Sequence, residues 1–541
     1  MTSDKLHQTR QLERDRQAGL KERILCCSVA GCLSAGGEEV RATLEQQAAP
    51  GVEVCGTGCL GWCSRGPLVR STAADAVYAE VTPSDAPAIL RGEKLEGRTL
   101  AADHPFYAGQ QRLILANSGN ADPERIGDYI AQGGYRSLLR ALAEMTPAEI
   151  VAEVKKSGLR GRGGAGYPAG LKWELVARHP SPIKYVICNA DEGDPGAFMN
   201  RSVLEGDPHR VLEGMAIAGR AVGAQRGYIY ARGESPLAIA RIQTALEQAR
   251  REGVLGGRVF ESSFQFEIDL RIGAGAYVCG EETSLIASIE GKRGQPTPRP
   301  PYPPESGLWR QPTLINNVET FANIPAILEK GGSWFASIGA PASPGTKVFA
   351  LAGRIARAGL VEVPIGTPLR RILFDLGGGV PAGYEFKAAQ TGGPAGGCIP
   401  AEYLDLPMDY DSLTRIGTMM GSGGLIVMDT SSCMVDLARF FMEFCRDESC
   451  GKCIPCRAGT VQMHEILQRI TRGEGSEDDF PMLEQLARLL QEASLCGLGL
   501  AAPNPVLSTL RHFRHEYEAH VRERRCPAGH CAIGARKEAI A

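Results

Sequence analysis

Seventeen cysteines in a chain of 541 residues call for an explanation, and most of them fall into three groups whose spacing limits what they can hold. Cys450, Cys453 and Cys456 form C-x2-C-x2-C, and Cys496 is a distant thiol that a fold could bring to them. A [4Fe–4S] core offers four iron corners to four thiolates, so three ligands in one loop and a fourth from afar suit it. Structural zinc is the alternative, but zinc normally pairs two C-x2-C knuckles or adds histidines. Near the N-terminus, Cys27-x4-Cys32 and Cys59-x3-Cys63 make two pairs, each short enough to hold one iron of a [2Fe–2S] rhomb. Cys26 and Cys55 lie beside these ligands, so sets using either are alternative registers. A thioredoxin-type redox pair does not fit this segment, which contains no C-x-x-C. The third group, Cys526 and Cys531, lies near His512, His515, His520 and His530. It reads as part of a Cys/His zinc site or as a thiol pair at a subunit interface. The scattered Cys188, Cys279, Cys398, Cys433 and Cys445 read as small buried hydrophobes.

Glycine-rich loops form a second class of candidate. Gly161, Gly163, Gly164 and Gly166 fit G-x-G-x-x-G, but the preceding Pro147–Ser157 segment reads as a helix where a dinucleotide fingerprint needs a strand. The glycines still expose backbone N–H groups, and Lys172 adds a movable positive charge suited to phosphate. Asn189, Asp191, Glu192 and Asp194 follow the apolar run Tyr185–Cys188, which places them at the carboxyl end of a strand, where open α/β sheets bind ligands. A solvated acidic turn is the other reading. Gly273–Thr283 has the form of a strand, a glycine hinge and a helix start able to meet a phosphate. Its Glu281 and Glu282 would equally serve as helix N-terminal acids, and Asn316-Asn317 as an ordinary cap.

The elements needed to position these loops exceed one core, since single cores stop growing at roughly 250–300 residues. We expect a multi-domain α/β chain. Residues 1–23 are a charged N-terminal segment, 24–97 a small α/β unit with helix Glu38–Gln47, and 98–134 a connection. Residues 135–346 alternate strands with helices, broken by the rigid proline-rich loop Pro296–Pro304. Residues 347–430 combine short strands with one helix, Pro368–Leu376. Residues 431–522 carry apolar spacing in Met434–Cys445, Thr460–Thr471, Pro481–Ala493 and Val506–Arg522, which fits a four-helix bundle. The tail is 523–541. A net charge of −3 without a basic cluster argues against nucleic acid as partner. No window approaches the ~18 apolar residues of a membrane span, and no secretion signal is present. Clustered thiols and the lack of a signal point to the cytoplasm.

Taken in order, GLRGRGGAGYPAGLKW, NADEGDPGAF, GAYVCGEETSLIASIEGKRGQPTPRPPYPP, INNVET and ESCGKCIPCRAGT resemble the FMN- and NADH-binding subunit of respiratory NADH dehydrogenase over about Tyr135 to Arg522. The N-terminal unit resembles that enzyme's small thioredoxin-like [2Fe–2S] subunit. Their fusion resembles the diaphorase subunits of NAD-reducing or electron-bifurcating hydrogenases and of soluble formate dehydrogenases. The resemblance implies a thioredoxin-like [2Fe–2S] domain, a Rossmann-like FMN domain, a ubiquitin-like β-grasp domain and a helical bundle with a [4Fe–4S] cluster. It implies FMN among Gly161, Arg162, Gly163, Gly164, Gly166, Lys172, Asn189, Asp191, Glu192, Tyr277, Gly280, Glu281, Glu282, Asn316 and Asn317. NAD(H) would lie near Tyr167, Asp194, Arg299 and Tyr302. Tyr167 and Tyr302 stand where phenylalanine is common, Asp194 where glutamate is and Arg299 where lysine is, which leaves NAD against NADP open. The implied reaction is flavin-centred hydride transfer followed by one-electron steps, with no side chain as acid or base. The implied partners are iron–sulfur subunits with a hydrogenase catalytic subunit. A formate dehydrogenase or a respiratory module is the alternative setting.

Overall fold

The computed structural model describes residues 1–101 and 103–533. Helix α1 (Ser3–Ala18) occupies most of the charged N-terminal segment, capped by Thr2 and anchored by the buried Leu6. Strand β1 (Glu22–Cys27), helix α2 (Gly37–Gln47) and strands β2 (Val52–Thr57), β3 (Val69–Ser71), β4 (Ala76–Tyr78) and β5 (Thr99–Ala101) follow. They form a sheet in the order β2-β1-β3-β4-β5, parallel only between β1 and β2. Alternation along β1 separates two adjacent cysteines, because successive side chains face opposite sides of a strand. Ile24 and Cys26 enter the core shared with Val40 and Leu44 of α2. Cys27 falls on the other side, with Cys32 and Cys59.

The expected connection at 98–134 is largely folded. Strand β5 extends the first sheet past residue 97, and Phe106, Leu113, Ile114 and Leu115 are buried. Helix α3 (Ile126–Ala131) packs on α1. Its fully buried Asp128 accepts a hydrogen bond from Arg23 at 2.5 Å, so both charges leave water together.

Helices α4 (Arg136–Ala143), α5 (Pro147–Lys156) and α6 (Ala169–Arg178) lead into the second sheet. A Thr146/Glu149 capping box starts α5. Strand β6 (Tyr185–Ala190), helices α7 (Met199–Gly206) and α8 (Pro208–Val222), strand β7 (Arg226–Arg232) and helix α9 (Pro236–Arg251) come next. Strand β8 (Glu267–Gly273), helix α10 (Glu282–Ile289), strand β9 (Thr313–Asn317) and helix α11 (Val318–Lys330) complete this part. The order is β8-β7-β6-β9 and every pairing is parallel, so the carboxyl ends of all four strands share one edge.

Strands β10 (Thr346–Gly353), β11 (Gly359–Pro364), β12 (Phe386–Thr391), β13 (Cys398–Pro400) and β14 (Gly424–Asp429) make a third sheet, ordered β11-β10-β14-β12-β13. Helices α12 (Met434–Asp447), α13 (Ile454–Thr471), α14 (Asp479–Ala493), α15 (Asn504–His512) and α16 (Arg514–Arg522) follow. The last two replace the single helix expected over Val506–Arg522, broken where Phe513 leaves helical geometry. Apolar spacing continues across that break, which is why it does not show in the sequence. Among the described residues no helix is long and apolar enough to cross a membrane.

Candidate active site and cysteine pockets

The shared edge of the parallel sheet gathers the glycine and acidic loops. Asn189, at the end of β6, donates to the Gly280 carbonyl at 2.8 Å, joining two of them. The side chain of Asp191 is 2% exposed, with Oδ1 3.4 Å from Arg232. Its Oδ2 is buried without a hydrogen-bond partner. Burial raises this carboxyl to about 7 despite Arg232, with Glu448 and Glu234 adding to the rise. Arg232 also donates to the Gly275 carbonyl, so it ties the acidic loop to the glycine hinge.

Other candidates are committed within the protein. Glu192 receives the N–H groups of Asn200 and Arg201 at 2.9 and 2.8 Å, at the start of α7. Glu281 caps α10 through the N–H groups of Thr283 and Ser284, and Asn317 caps α11 through Glu319. Asn316 accepts from the Trp173 indole at 2.8 Å. Lys172 pairs with Glu282 at 2.5 Å. Arg162 departs from the expected set, because its fully buried guanidinium donates to the carbonyls of Arg160, Pro344 and Thr346. Only the loop backbone around it is left to meet a ligand.

The glycine loop is held from outside the second sheet. Tyr410 donates to the Gly161 carbonyl at 2.9 Å, and a Cβ on Gly166 would sit 2.6 Å from the Tyr410 ring. Glycine is required there by space as well as by its φ of +65°. Asp194 accepts from Tyr277 at 2.8 Å and Ser422 at 2.7 Å. Burial raises its carboxyl while these two donors lower it. Tyr167 and Tyr302 are instead half exposed, and Arg299 lies over the Tyr302 ring at 5.8 Å. Arg299 and Tyr302 line an open groove with Lys452, Cys453 and Glu492.

Cys450, Cys453, Cys456 and Cys496 line one small pocket with Val278, Pro296 and Leu498. Ser449 Oγ lies 3.3 Å from Cys456 Sγ. Burial raises the Cys456 thiol to about 11, and the neighbouring thiols add to it, so an ionised Cys456 needs a cation beside it. Two contacts fasten the expected proline loop onto the cysteine loop. Lys452 donates to the Pro296 carbonyl at 2.6 Å, and Gln295 donates to the Cys450 carbonyl at 3.2 Å. The Tyr277 N–H donates to Glu448 at 2.8 Å, and the Tyr277 ring meets Phe444 edge-on at 5.2 Å. The edge of the parallel sheet thus joins the cysteine loop directly.

In the N-terminal pocket, Cys59 and Cys63 Sγ are 3.5 Å apart, and Cys27 and Cys32 are buried in the same core cluster as Cys59. The Gly61 N–H donates to Cys59 Sγ at 3.3 Å. Cys55 lies away from this set, 3.6 Å from Arg23. Helix α7 links the two regions. Its first turn is held by Glu192 and its last residue, Gly206, packs on Gly58, a span of roughly 12 Å for its eight residues. Glu205, one residue before its end, accepts from the Ala30 N–H at 3.0 Å.

The third cysteine group corrects the sequence reading. Cys526 and Cys531 meet Cys433 and His520, with all four ligand atoms within 4.8 Å of one another. Cys433 therefore does not belong with the scattered buried thiols. Of the four nearby histidines only His520 joins. His530 faces Asp436, His512 faces Glu402, and His515 lies beside the Phe513 ring. The His520 Nδ1 lies 2.7 Å from the Glu516 carbonyl, which leaves Nε2 toward the sulfurs.

Comparison with known proteins agrees with this layout. Residues 154–326 match the family model of the Nuo51 FMN-binding domain, and 436–520 that of the NADH-ubiquinone oxidoreductase-F iron-sulfur binding region. NADP-reducing hydrogenase subunit HndC of Solidesulfovibrio fructosivorans is 55% identical over 422 residues, 78% of this chain and 86% of its own. An F-type subunit of the NADH-quinone oxidoreductase of Rhizobium meliloti (strain 1021) is 46% identical over 77% of this chain and 99% of its own. The crystal structure of an NAD+-reducing [NiFe]-hydrogenase in the H2-reduced state matches with a TM-score of 0.68 at 28% identity, over 96% of this chain and 93% of that one. The chain belongs to the oxidoreductase family of F-type NADH-quinone oxidoreductase subunits, which joins an FMN-binding domain to an iron–sulfur binding region.

Proposed function

We propose that the chain oxidises a reduced nicotinamide dinucleotide at FMN and delivers single electrons through iron–sulfur clusters to partner subunits of an NAD(P)-reducing hydrogenase complex. FMN held there would supply hydride acceptance and release of electrons one at a time, and each cluster would carry one. The Tyr277–Glu448 contact carries this reading, since it sets the flavin loops against the Cys450–Cys456 loop. A flavin fits because Asp191 Oδ2 is a buried acceptor without a partner, and Gly280 leaves room beside it. Backbone N–H groups of Gly161–Gly166 and the Lys172 ammonium would hold the phosphate. Tyr167 and Tyr302 would stack on the dinucleotide, with Arg299 supplying charge, and Asp194 would meet its nicotinamide end.

The three sheets and the helical region support a division into a thioredoxin-like domain, an FMN domain, a β-grasp domain and a bundle. Cys27, Cys32, Cys59 and Cys63 would hold a [2Fe–2S] cluster, and Cys450, Cys453, Cys456 and Cys496 a [4Fe–4S] cluster. Cys433, His520, Cys526 and Cys531 would hold zinc, because three thiolates and one imidazole make a closed structural set. All seventeen cysteines are unpaired, which suits a reducing compartment such as the cytoplasm. The hydrogenase setting is favoured because the NADP-reducing hydrogenase subunit is 55% identical against 46% for the Rhizobium meliloti protein, and the solved hydrogenase chain extends over 96% of this one.

The test is anaerobic stopped-flow mixing with NADH and NADPH, with flavin, iron, sulfide and zinc quantified on the same preparation. Rapid flavin bleaching in a chain carrying FMN, both cluster types and zinc is expected. A flavin that neither nucleotide bleaches would overturn the proposal.

A further inference from the structure

Two adjacent polar residues just past the end of α12 serve different neighbours. Glu448 receives the Tyr277 N–H and so holds the flavin loops. Ser449, the next residue, reaches the cysteine pocket, where its Oγ lies 3.3 Å from Cys456 Sγ. Both ends of that contact are fixed. The Ser449 N–H donates to the Arg446 carbonyl at 3.4 Å, and its Oγ accepts the Gly451 N–H at 3.3 Å. Gly451 has a φ of +74°, the left-handed conformation that turns the chain back toward Ser449. Cys456 stands in the first turn of α13, 6% exposed, and its carbonyl accepts from the Thr460 hydroxyl at 2.7 Å.

The rest of the pocket offers this sulfur little else. Among the described residues, Ser449 is the only one with a side-chain hydroxyl that lines it, beside the apolar Val278, Pro296, Leu495 and Leu498. The Lys452 ammonium is drawn onto the Pro296 carbonyl at 2.6 Å. A hydroxyl carries one hydrogen and accepts at its oxygen. The Gly451 N–H occupies the oxygen, which leaves the hydrogen for Cys456. A cysteine sulfur bound to iron has lost its proton and can only accept, so the direction of this hydrogen bond is settled. Apolar walls make it stronger than the same bond would be in water.

We infer that the Ser449 hydroxyl donates a hydrogen bond to Cys456 Sγ and thereby raises the reduction potential of the [4Fe–4S] cluster. The inference rests on the proposed ligation by Cys450, Cys453, Cys456 and Cys496. One electron enters, no bond is made or broken, and the ligand sulfurs become more negative. A donor to one of them therefore stabilises the reduced form more than the oxidised form. Ser449 is a positioning and tuning residue, placed one step along the chain from the side chain that holds the flavin loops.

The test is an EPR-monitored redox titration of the full chain and its Ser449→Ala and Ser449→Thr variants. At fixed ambient potential Ser449→Ala should lower the reduced-to-oxidised ratio of the [4Fe–4S] cluster about tenfold, equivalent to a fall of about 59 mV for a one-electron couple. Ser449→Thr keeps a hydroxyl and should restore most of the midpoint, and the [2Fe–2S] midpoint should stay in place in both. A [4Fe–4S] midpoint that is unmoved in Ser449→Ala, or moves equally in Ser449→Thr, overturns the inference alone. An unmodified chain with no [4Fe–4S] signal overturns the ligand assignment and the inference with it. If Ser449→Ala loses its cluster, ENDOR on chains labelled with hydroxyl-17O serine decides. A 17O coupling to the reduced cluster that disappears in Ser449→Thr supports the contact, and spectra that do not differ overturn it.

Discussion

In the N-terminal pocket Cys27, Cys32 and Cys59 are at most 2% exposed, beneath a segment that runs from Phe106 to Leu115. In the C-terminal pocket Cys450 and Cys453 reach toward the surface, Ile454 is 67% exposed, and an open groove lies beside Cys453. Both pockets collect four thiols and both connect to the flavin loops, one through α7 and the other through Glu448. Their difference lies in access. A cluster enclosed by its own chain can exchange electrons with the flavin but offers partners little edge, whereas a cluster at a groove can hand electrons out. On the proposed ligand sets, the C-terminal pocket would serve as exit and the N-terminal one as storage.

The largest expected effect separates these roles. Cys453→Ser should abolish reduction of partner subunits and of one-electron dyes, while NADH still bleaches the flavin. Cys59→Ser should remove the [2Fe–2S] EPR signal yet leave dye reduction largely intact. Turnover assays alongside EPR check both. If Cys59→Ser stops dye reduction as completely as Cys453→Ser, the enclosed pocket lies on the exit route and the division of roles fails.

How much of this could be read from the sequence depends on how narrowly chemistry restricts residue type. The C-x2-C-x2-C run and the glycine loops stood out because thiolates and bare backbone have few substitutes at such spacing. The partners that organise them did not. Tyr410 and Ser422 lie more than two hundred residues from the loops they grip, and nothing local distinguishes them from ordinary polar residues. Cys433 begins α12, far from Cys526, so its membership of the third set depends on how α12 and the tail meet. The segment at 98–134 reads as a connection because polar, proline and glycine residues break up its apolar runs. What fixes it is Glu362, contributed from β11. Secondary structure was easier to read, since periodicity is local, and its main failure at Phe513 is a bend that leaves the apolar stripe continuous.

A change midway between the pockets should affect them equally. Asp191→Asn replaces the buried acceptor next to Gly280 by an amide and should weaken FMN binding about tenfold, the scale of one lost charge-assisted hydrogen bond. The carboxylate is the accepting form, and burial, opposed by Arg232, holds this group at about 7. FMN affinity of the unmodified chain should therefore rise as pH increases through about 7, and Asp191→Asn should flatten that profile. Fluorescence titration of FMN into flavin-depleted protein measures both. NADH reduction of the two clusters should fall in parallel, while dithionite reduces each as before. Unequal loss would mean that one pocket receives electrons by a route that bypasses the flavin.

The smallest effect tests whether the enclosed pocket is tuned by the helix that joins it to the flavin loops. Glu205 is 1% exposed and accepts the Ala30 N–H within the loop between Cys27 and Cys32. Its negative charge opposes that of the incoming electron, so Glu205→Gln should raise the [2Fe–2S] midpoint. The shift should be small for two reasons. Glutamine keeps an acceptor oxygen for Ala30, and Arg201, 3.6 Å from the Glu205 carboxylate, already offsets much of the charge. The [4Fe–4S] midpoint should not move, because Glu205 lies at the end of α7 remote from the Glu448 contact. A potentiometric titration in which both clusters shift together would show that the change acts through the flavin domain as a whole, and the two pockets would then no longer be electrostatically independent.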